Sequence, residues 1–299
     1  MKKQLFTVCL LASLAGSVFA QANDTISKTK AAGTITMGVR DSSGALSYTL
    51  GDGKYVGYHV EICQRIIANL EKTIGKKLEV KYVSVTSQNR IPLVQNGTVD
   101  IECGSTTNNM ARQKDVAFAD TTYVEEVRTA VHANSGINSI AQLNGKNVAT
   151  TTGTTSVQLL RKHERATGID FKEVYGKDHA DSFLLLESGR ADAFVMDSQI
   201  LAGNIANSKN PADYKIVGEV LSVEPIAIML RKDDPAFKKL ADDTIVGLAK
   251  SGELAKLYDK WFVQPIPPKN ARLNMPASEN NKQLWANPND KPVEDYAKK

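Results

Sequence analysis

The sequence predicts an α/β fold of two lobes joined by two crossing strands, and three observations carry that prediction. Strand-like and helix-like hydrophobic periods alternate from Thr34 onward, as they do in largely parallel sheets covered by helices. The alternation stops in a turn-rich stretch near Ser135 and restarts at Lys146. Finally, VEPIAIMLRKDD reads as a return strand, and the two amphipathic helices after it most economically rejoin the first half. Two crossings imply a hinge. The expected division is residues 24–130 for the first part of lobe 1, 131–224 for lobe 2, and 225–299 for the return to lobe 1 and the tail.

Residues 1–20 stand apart. Lys2 and Lys3 precede an apolar run from Leu5 to Val18, and Val18-Phe19-Ala20 has the small-x-small form of a cleavage site, so this segment reads as a secretory signal. The run is too short for a membrane span. Cys9 lies inside it rather than at the cleavage point, which argues against a lipid anchor. Removing Lys2 and Lys3 takes the formal net charge from +4 to about +2, too little to suggest nucleic acid. Of the remaining cysteines, Cys63 falls on a helix and Cys103 at a strand end. Two buried free thiols are the plainer reading, with a Cys63–Cys103 bridge left open in an oxidising compartment. Four dispersed histidines without paired cysteines make no metal site, and no cofactor is expected.

The elements follow in order. Thr34 to Arg40 is a strand. Tyr58 to Thr73 carries Val60, Ile62, Ile66, Ile67 and Leu70 at helical spacing. Leu78 to Val85 alternates as a strand, RIPLVQNG is a short helix stopped at Asn96-Gly97, and VDIEC is a second strand broken by Gly104. TTYVEEVRTAVHANS reads as a crossing strand. In the second lobe, Lys146–Gly153, FKEVYG, Ala191–Asp197 and Lys215–Glu219 are strands, and Thr155–Thr167, Asp181–Ser188 and Ser198–Asn207 are helices. Pro235–Lys250 and Gly252–Phe262 are the returning helices. The tail after Pro265 has no periodicity and is expected to wrap the first lobe or to fray.

Candidate chemistry gathers where strands hand over to helices, the edge at which open α/β sheets bind ligands. Arg40, Ser87, Arg90, Ser105, Thr107 and Arg112 lie there in the first lobe. Thr152 to Ser156, Asp178, His179 and Asp197 lie there in the second. Arginines and hydroxyls in such a place suit a small anion. TTGTTS adds a turn glycine and hydroxyls opening a helix, whose free N–H groups and dipole favour a carboxylate. Each feature also has a plain structural use, since arginines pair with neighbouring aspartates and Thr, Asp and His cap helices. It is the shared edge that selects them.

With those residues in view, the chain resembles the aspartate/glutamate periplasmic binding proteins, soluble receptors of importers of the ABC class within the polar amino-acid group of solute-binding protein family 3. The likeness runs from about Thr34 to Asn270 and is carried by TSQNRIPL-QNGT-D-ECGSTTNN--RQ, TTGTTS, KDHADSF-LLESGRA, AF-MD, LRKDDP-FKKL-DDTI and DKWF-QPIPPKN. It implies a type II periplasmic-binding-protein fold. It also implies that Arg112 clamps a ligand α-carboxylate, with Ser105, Thr107 and the Thr155 N–H assisting, while Asp197 takes the α-ammonium. Arg40, Ser87, Arg90 and His179 would receive a side-chain carboxylate. Thr151 departs from the lysine of some relatives. Three arginines against one aspartate count to about +2, which suits a dicarboxylic amino acid of net charge −1. The resemblance further implies closure around ligand, a membrane permease as partner and a monomeric receptor. Two other classes compete. One is a dehydratase-like enzyme on the same fold, for which His179 and Asp197 are the acid–base candidates. The other is a sensory domain, which requires a signalling segment after the lobes.

Overall fold

The computed structural model describes residues 24–296. The secretory signal expected at residues 1–20, with Cys9, lies outside them. The first half contains α1 (Thr25–Ala32), β1 (Thr34–Val39), a small hairpin sheet of β2 (Ser42–Ser43), β3 (Ser47–Thr49) and β4 (Tyr55–Val56), then α2 (Tyr58–Ile74), β5 (Glu79–Ser84), α3 (Arg90–Gln95), β6 (Ile101–Glu102) and β7 (Val116–Phe118). The second contains β8 (Tyr123–His132), β9 (Asn147–Thr151), α4 (Thr155–Thr167), β10 (Lys172–Gly176), α5 (His179–Glu187), β11 (Ala193–Asp197), α6 (Ser198–Asn207) and β12 (Tyr214–Ile226). The chain returns through β13 (Met229–Arg231), α7 (Pro235–Lys250), α8 (Glu253–Tyr258), α9 (Glu279–Ala286) and α10 (Val293–Tyr296).

Two five-stranded sheets result, ordered β5-β1-β6-β13-β7 and β10-β9-β11-β8-β12. Helices cover both faces of each, so the buried strands sort their side chains with a period of two. In β11, Ala193 and Val195 enter one core while Phe194 and Met196 enter the core on the opposite face. In β1, Ile35, Met37 and Val39 face α2 and α7 in the largest core. The expected α/β class holds, but the sheets are mixed rather than mostly parallel. β13 runs antiparallel to β6 and β7, and β8 antiparallel to β11 and β12, because the strands that cross between lobes enter each sheet reversed.

All of β8 belongs to the second sheet, so that sheet begins at Tyr123. The expected break after Glu219 does not occur either. β12 continues to Ile226 because β8 offers an unbroken antiparallel partner, and the irregularity is absorbed by a register shift between Val217 and Ser222. Where the chain crosses, Tyr123 lies opposite Ile226 and Val124 opposite Pro225, and the Thr122 N–H donates to the Ile226 carbonyl at 3.1 Å. The two crossings thus form one hydrogen-bonded ribbon that can bend as a hinge.

The plainer reading of two free thiols is corrected. Cys63 on α2 and Cys103 just after β6 form a disulfide, with Cα atoms 6.3 Å apart, because α2 packs directly on that sheet. The tail is ordered on the crossing ribbon. Asn281 accepts from the Val124 N–H at 2.8 Å, Asn289 accepts from the Thr121 N–H at 2.8 Å, and the Val293 N–H donates to the Asn108 carbonyl at 2.9 Å.

Candidate functional site

The two sheets face each other across a cleft, and their lobes are in contact. Gly153, after β9, lies so close to Ser87 and Gln88 that a Cβ there would stand 2.9 Å from the Gln88 backbone. Gly203 on α6 meets Gly44 in the same way, at 2.8 Å. The Ala45 N–H also donates to Gln199 Oε1 on α6 at 3.0 Å. These contacts require small residues and describe a closed form.

Local folding delivers each first-lobe group to this cleft. β1 ends and passes to Arg40. A turn in which the Thr86 N–H donates to Asn89 Oδ1 at 2.7 Å starts α3, so Ser87 and Arg90 project from the end of β5. β6 ends at Glu102, and Gly104 lets the chain run close past the Arg40 stem into Ser105 and Thr107. A small cavity results. Ser87, Arg90, Ser105 and Thr107 line it from the first lobe, and Thr154, Thr155, His179, Met196 and Asp197 from the second.

The other predicted residues lie around that space. Arg40 is fully buried behind it and donates from Nη2 to Ser87 Oγ at 3.1 Å and to the Asp178 carboxylate across the cleft. Arg112 is half-buried at the rim, donating to the Thr107 carbonyl at 2.8 Å and to the Gly153 carbonyl at 3.4 Å. Thr152 is absent from the lining. Its hydroxyl and its N–H both turn to the Gly176 carbonyl, at 3.2 and 3.1 Å, where they tie β9 to β10.

Several groups that strand-end reasoning missed complete the site. Glu224 on β12 is buried, and its Oε2 accepts from the hydroxyls of Thr107 at 2.7 Å and Thr155 at 2.8 Å. Glu125, opposite it on β8, accepts from the Ser198 hydroxyl at 2.6 Å. Glu102 accepts from the Thr106 hydroxyl at 2.7 Å. Asp178, already expected at this edge from the sequence, accepts from Ser42 Oγ at 2.8 Å. Thr151, the position that departs from lysine, holds His179 Nδ1 at 2.9 Å and Ser182 Oγ at 2.8 Å, which leaves Nε2 as the unpartnered ring nitrogen. The signal for Glu102, Glu125 and Glu224 was a charged residue inside an apolar strand, where burial requires a partner.

These carboxylates overturn the count of about +2. The charge is instead divided along the cavity. Around Arg40 and Arg90, Nε and Nη1 of both guanidinium groups and Nε2 of His179 are buried without a hydrogen-bond partner among the described residues. Burial, then the like charges of Arg112 and Arg40, lowers Arg90 to about 9, so it is still a cation at neutral pH. Burial and Arg40 depress His179 to about 3, leaving its imidazole neutral. Burial opposes ionisation of Asp178, but Arg40, His179 and the Ser42 hydroxyl together outweigh it and hold the carboxyl down at about 2. At the other end, burial and Glu224 push Asp197 up to about 7, while burial and Asp197 raise Glu125 well above the usual carboxylate range. One end therefore needs hydrogen-bond acceptors carrying negative charge, and the other needs donors carrying positive charge.

Known proteins share this fold and sequence. Residues 35–264 match the family described as bacterial extracellular solute-binding proteins, family 3. The chain is 46% identical to the glutamate/aspartate import solute-binding protein of Escherichia coli K12, covering 97% of this chain and 98% of the relative. It is also 46% identical to the L-glutamate/L-aspartate-binding protein of Pseudomonas aeruginosa, covering 97% of each. Among solved structures, a mutant of ArgBP from T. maritima superposes with a TM-score of 0.70 at 29% identity, covering 79% of this chain and 98% of that one. The match of fold and sequence over most of its length places the chain in the bacterial extracellular solute-binding proteins, family 3.

Proposed function

We propose that this chain is a periplasmic receptor for L-glutamate and L-aspartate, which it holds between its lobes and hands to the membrane permease of an ABC importer. The observation that carries the reading is the set of buried, unpaired nitrogen atoms on Arg40, Arg90 and His179 beside a small cavity lined by both lobes. A ligand side-chain carboxylate there satisfies groups that are costly to leave unpaired. The α-carboxylate goes to Arg112 and the N–H groups that open α4, and the α-ammonium goes to Asp197. The names of the E. coli and P. aeruginosa relatives support the same ligands.

Because the two lobes supply different ligand contacts, closure is favoured by whatever bridges them. No bond is made or broken in this cycle. The site residues are all accounted for by holding a zwitterionic dicarboxylate, so the enzyme alternative is left without a reacting group of its own. Export through a cleaved leader at residues 1–20, action as a monomer and docking on a permease belong to the same proposal. Glutamate and aspartate differ by one methylene, worth about 1 to 3 kcal/mol in a pocket, so both bind.

Thermal unfolding against a panel of amino acids tests this. At concentrations about a hundredfold above Kd, L-glutamate and L-aspartate should raise the midpoint by roughly 5 °C or more, with a much smaller shift from L-glutamine and none from L-arginine. No shift from either acid, or an equal shift from glutamine, would overturn the proposal.

A further inference from the structure

Resting on the receptor reading, we infer that Glu224 fixes which way round the ligand lies, by committing the hydroxyls of Thr107 and Thr155 to accept from its ammonium group. Glu224 sits on β12 immediately before the crossing at Pro225 and Ile226, and its side chain is buried. A single carboxylate oxygen, Oε2, takes the hydroxyl protons of two threonines that come from different lobes and both line the cavity. A threonine hydroxyl has one proton and two lone pairs, and an ionised carboxylate only accepts. Once those protons point at Glu224, Thr107 and Thr155 have only lone pairs left for a ligand.

A carboxylate placed against them would face oxygen without a proton. An ammonium group has three N–H donors, and Asp197 alone does not occupy all three. The two threonine oxygens supply the remaining acceptors at the end of the cavity where Asp197 stands. This refines the role expected of Thr107: its hydroxyl serves the amino group, leaving the α-carboxylate to Arg112 and to backbone N–H groups.

The test compares L-glutamate with glutarate, the same dicarboxylate without the amino group, by calorimetric titration of the wild-type protein, Glu224→Leu, Glu224→Gln and Thr107→Val. Glu224→Leu should weaken L-glutamate by about 10- to 100-fold, the worth of a hydrogen bond to a charged group, while changing glutarate by less than about threefold. Glu224→Gln should fall between, since its amide oxygen still accepts but carries no charge. Thr107→Val removes one acceptor and should reproduce the selective loss even if the leucine variant does not fold. Equal weakening of both compounds in the folded variants, or unchanged L-glutamate affinity, would overturn the role of Glu224. Wild-type protein that binds neither compound would overturn the receptor reading, and this inference with it.

Discussion

At one end of the cavity, Arg40, Arg90 and His179 are buried with nitrogen atoms unpaired. At the other, Glu224, Asp197 and Glu125 gather around two threonine hydroxyls that are already engaged. Both ends arise at strand ends or crossings of similar five-stranded sheets, yet they make opposite demands on a ligand. The lesson is that selectivity resides in how charge is divided along the cleft. Net charge says little: Glu224, Asp197 and Glu125 match Arg40, Arg90 and Arg112 in number, but they lie at a different end from the unpaired nitrogens of Arg40, Arg90 and His179. A dicarboxylic amino acid has the same division, with a lone carboxylate at one end and an α-carboxylate with its ammonium at the other.

The comparison breaks most sharply at Arg90. Arg90→Leu should weaken L-glutamate by about 2 to 5 kcal/mol, or roughly 30-fold and more, because it removes the partner of a buried carboxylate. The same change removes a buried guanidinium with unpaired Nε and Nη1, so the thermal midpoint of ligand-free protein should stay level or rise. A large drop in that midpoint would mean that Arg90 is structural.

The acidic end is sharpened by pH. In the proposed binding mode the ligand ammonium requires Asp197 ionised, whereas burial and Glu224 push that carboxyl up to about 7, with Arg90, Arg112 and Arg40 opposing them. Below that pH, binding must expel a proton. Affinity for L-glutamate should therefore rise by up to about tenfold per pH unit between pH 5 and 7 and level off above. Titrations in buffers of different ionisation enthalpy should show proton release. Asp197→Asn should bind weakly at every pH and flatten the profile. A wild-type profile flat from pH 5 to 8 would contradict the assignment.

The smallest expected effect belongs to the latch outside the cavity. Asp178 reaches from the second lobe to Arg40 and Ser42 of the first, and its side chain is 17% exposed. Asp178→Asn should speed ligand dissociation by roughly fivefold, about 1 kcal/mol, with little change in association, as read by stopped-flow fluorescence. A change confined to association would place Asp178 in encounter rather than in closure.

What was legible in the sequence follows from topology. Ser87, Arg90, Ser105, Thr107, His179 and Asp197 fall at strand-to-helix handovers, and an α/β sheet brings such points to one edge wherever the rest of the chain goes. Glu102, Glu125 and Glu224 were harder to see because they lie within strands, where a polar residue reads as facing solvent until the partner that buries it is known. The Arg40–Asp178 pair joins residues 138 apart in sequence, so only the closed arrangement of the lobes shows it. The hairpin β2–β4 is too short for periodicity to mark, and the tail's place on the crossing ribbon rests on single bonds such as Asn281 to Val124. Thr152 was chosen for its position in TTGTTS, yet the turn spends it on Gly176.

The most direct test of the divided cleft is calorimetric titration of unfolded-and-refolded, ligand-free protein, with Cys63–Cys103 kept oxidised, using L-glutamate, L-aspartate and L-glutamine. One-to-one saturable binding of both acids, with glutamine weaker by about 30-fold or more, is the predicted result. Glutamine binding as tightly as glutamate would contradict it, because the donors of Arg40, Arg90 and His179 would then not be reading a carboxylate.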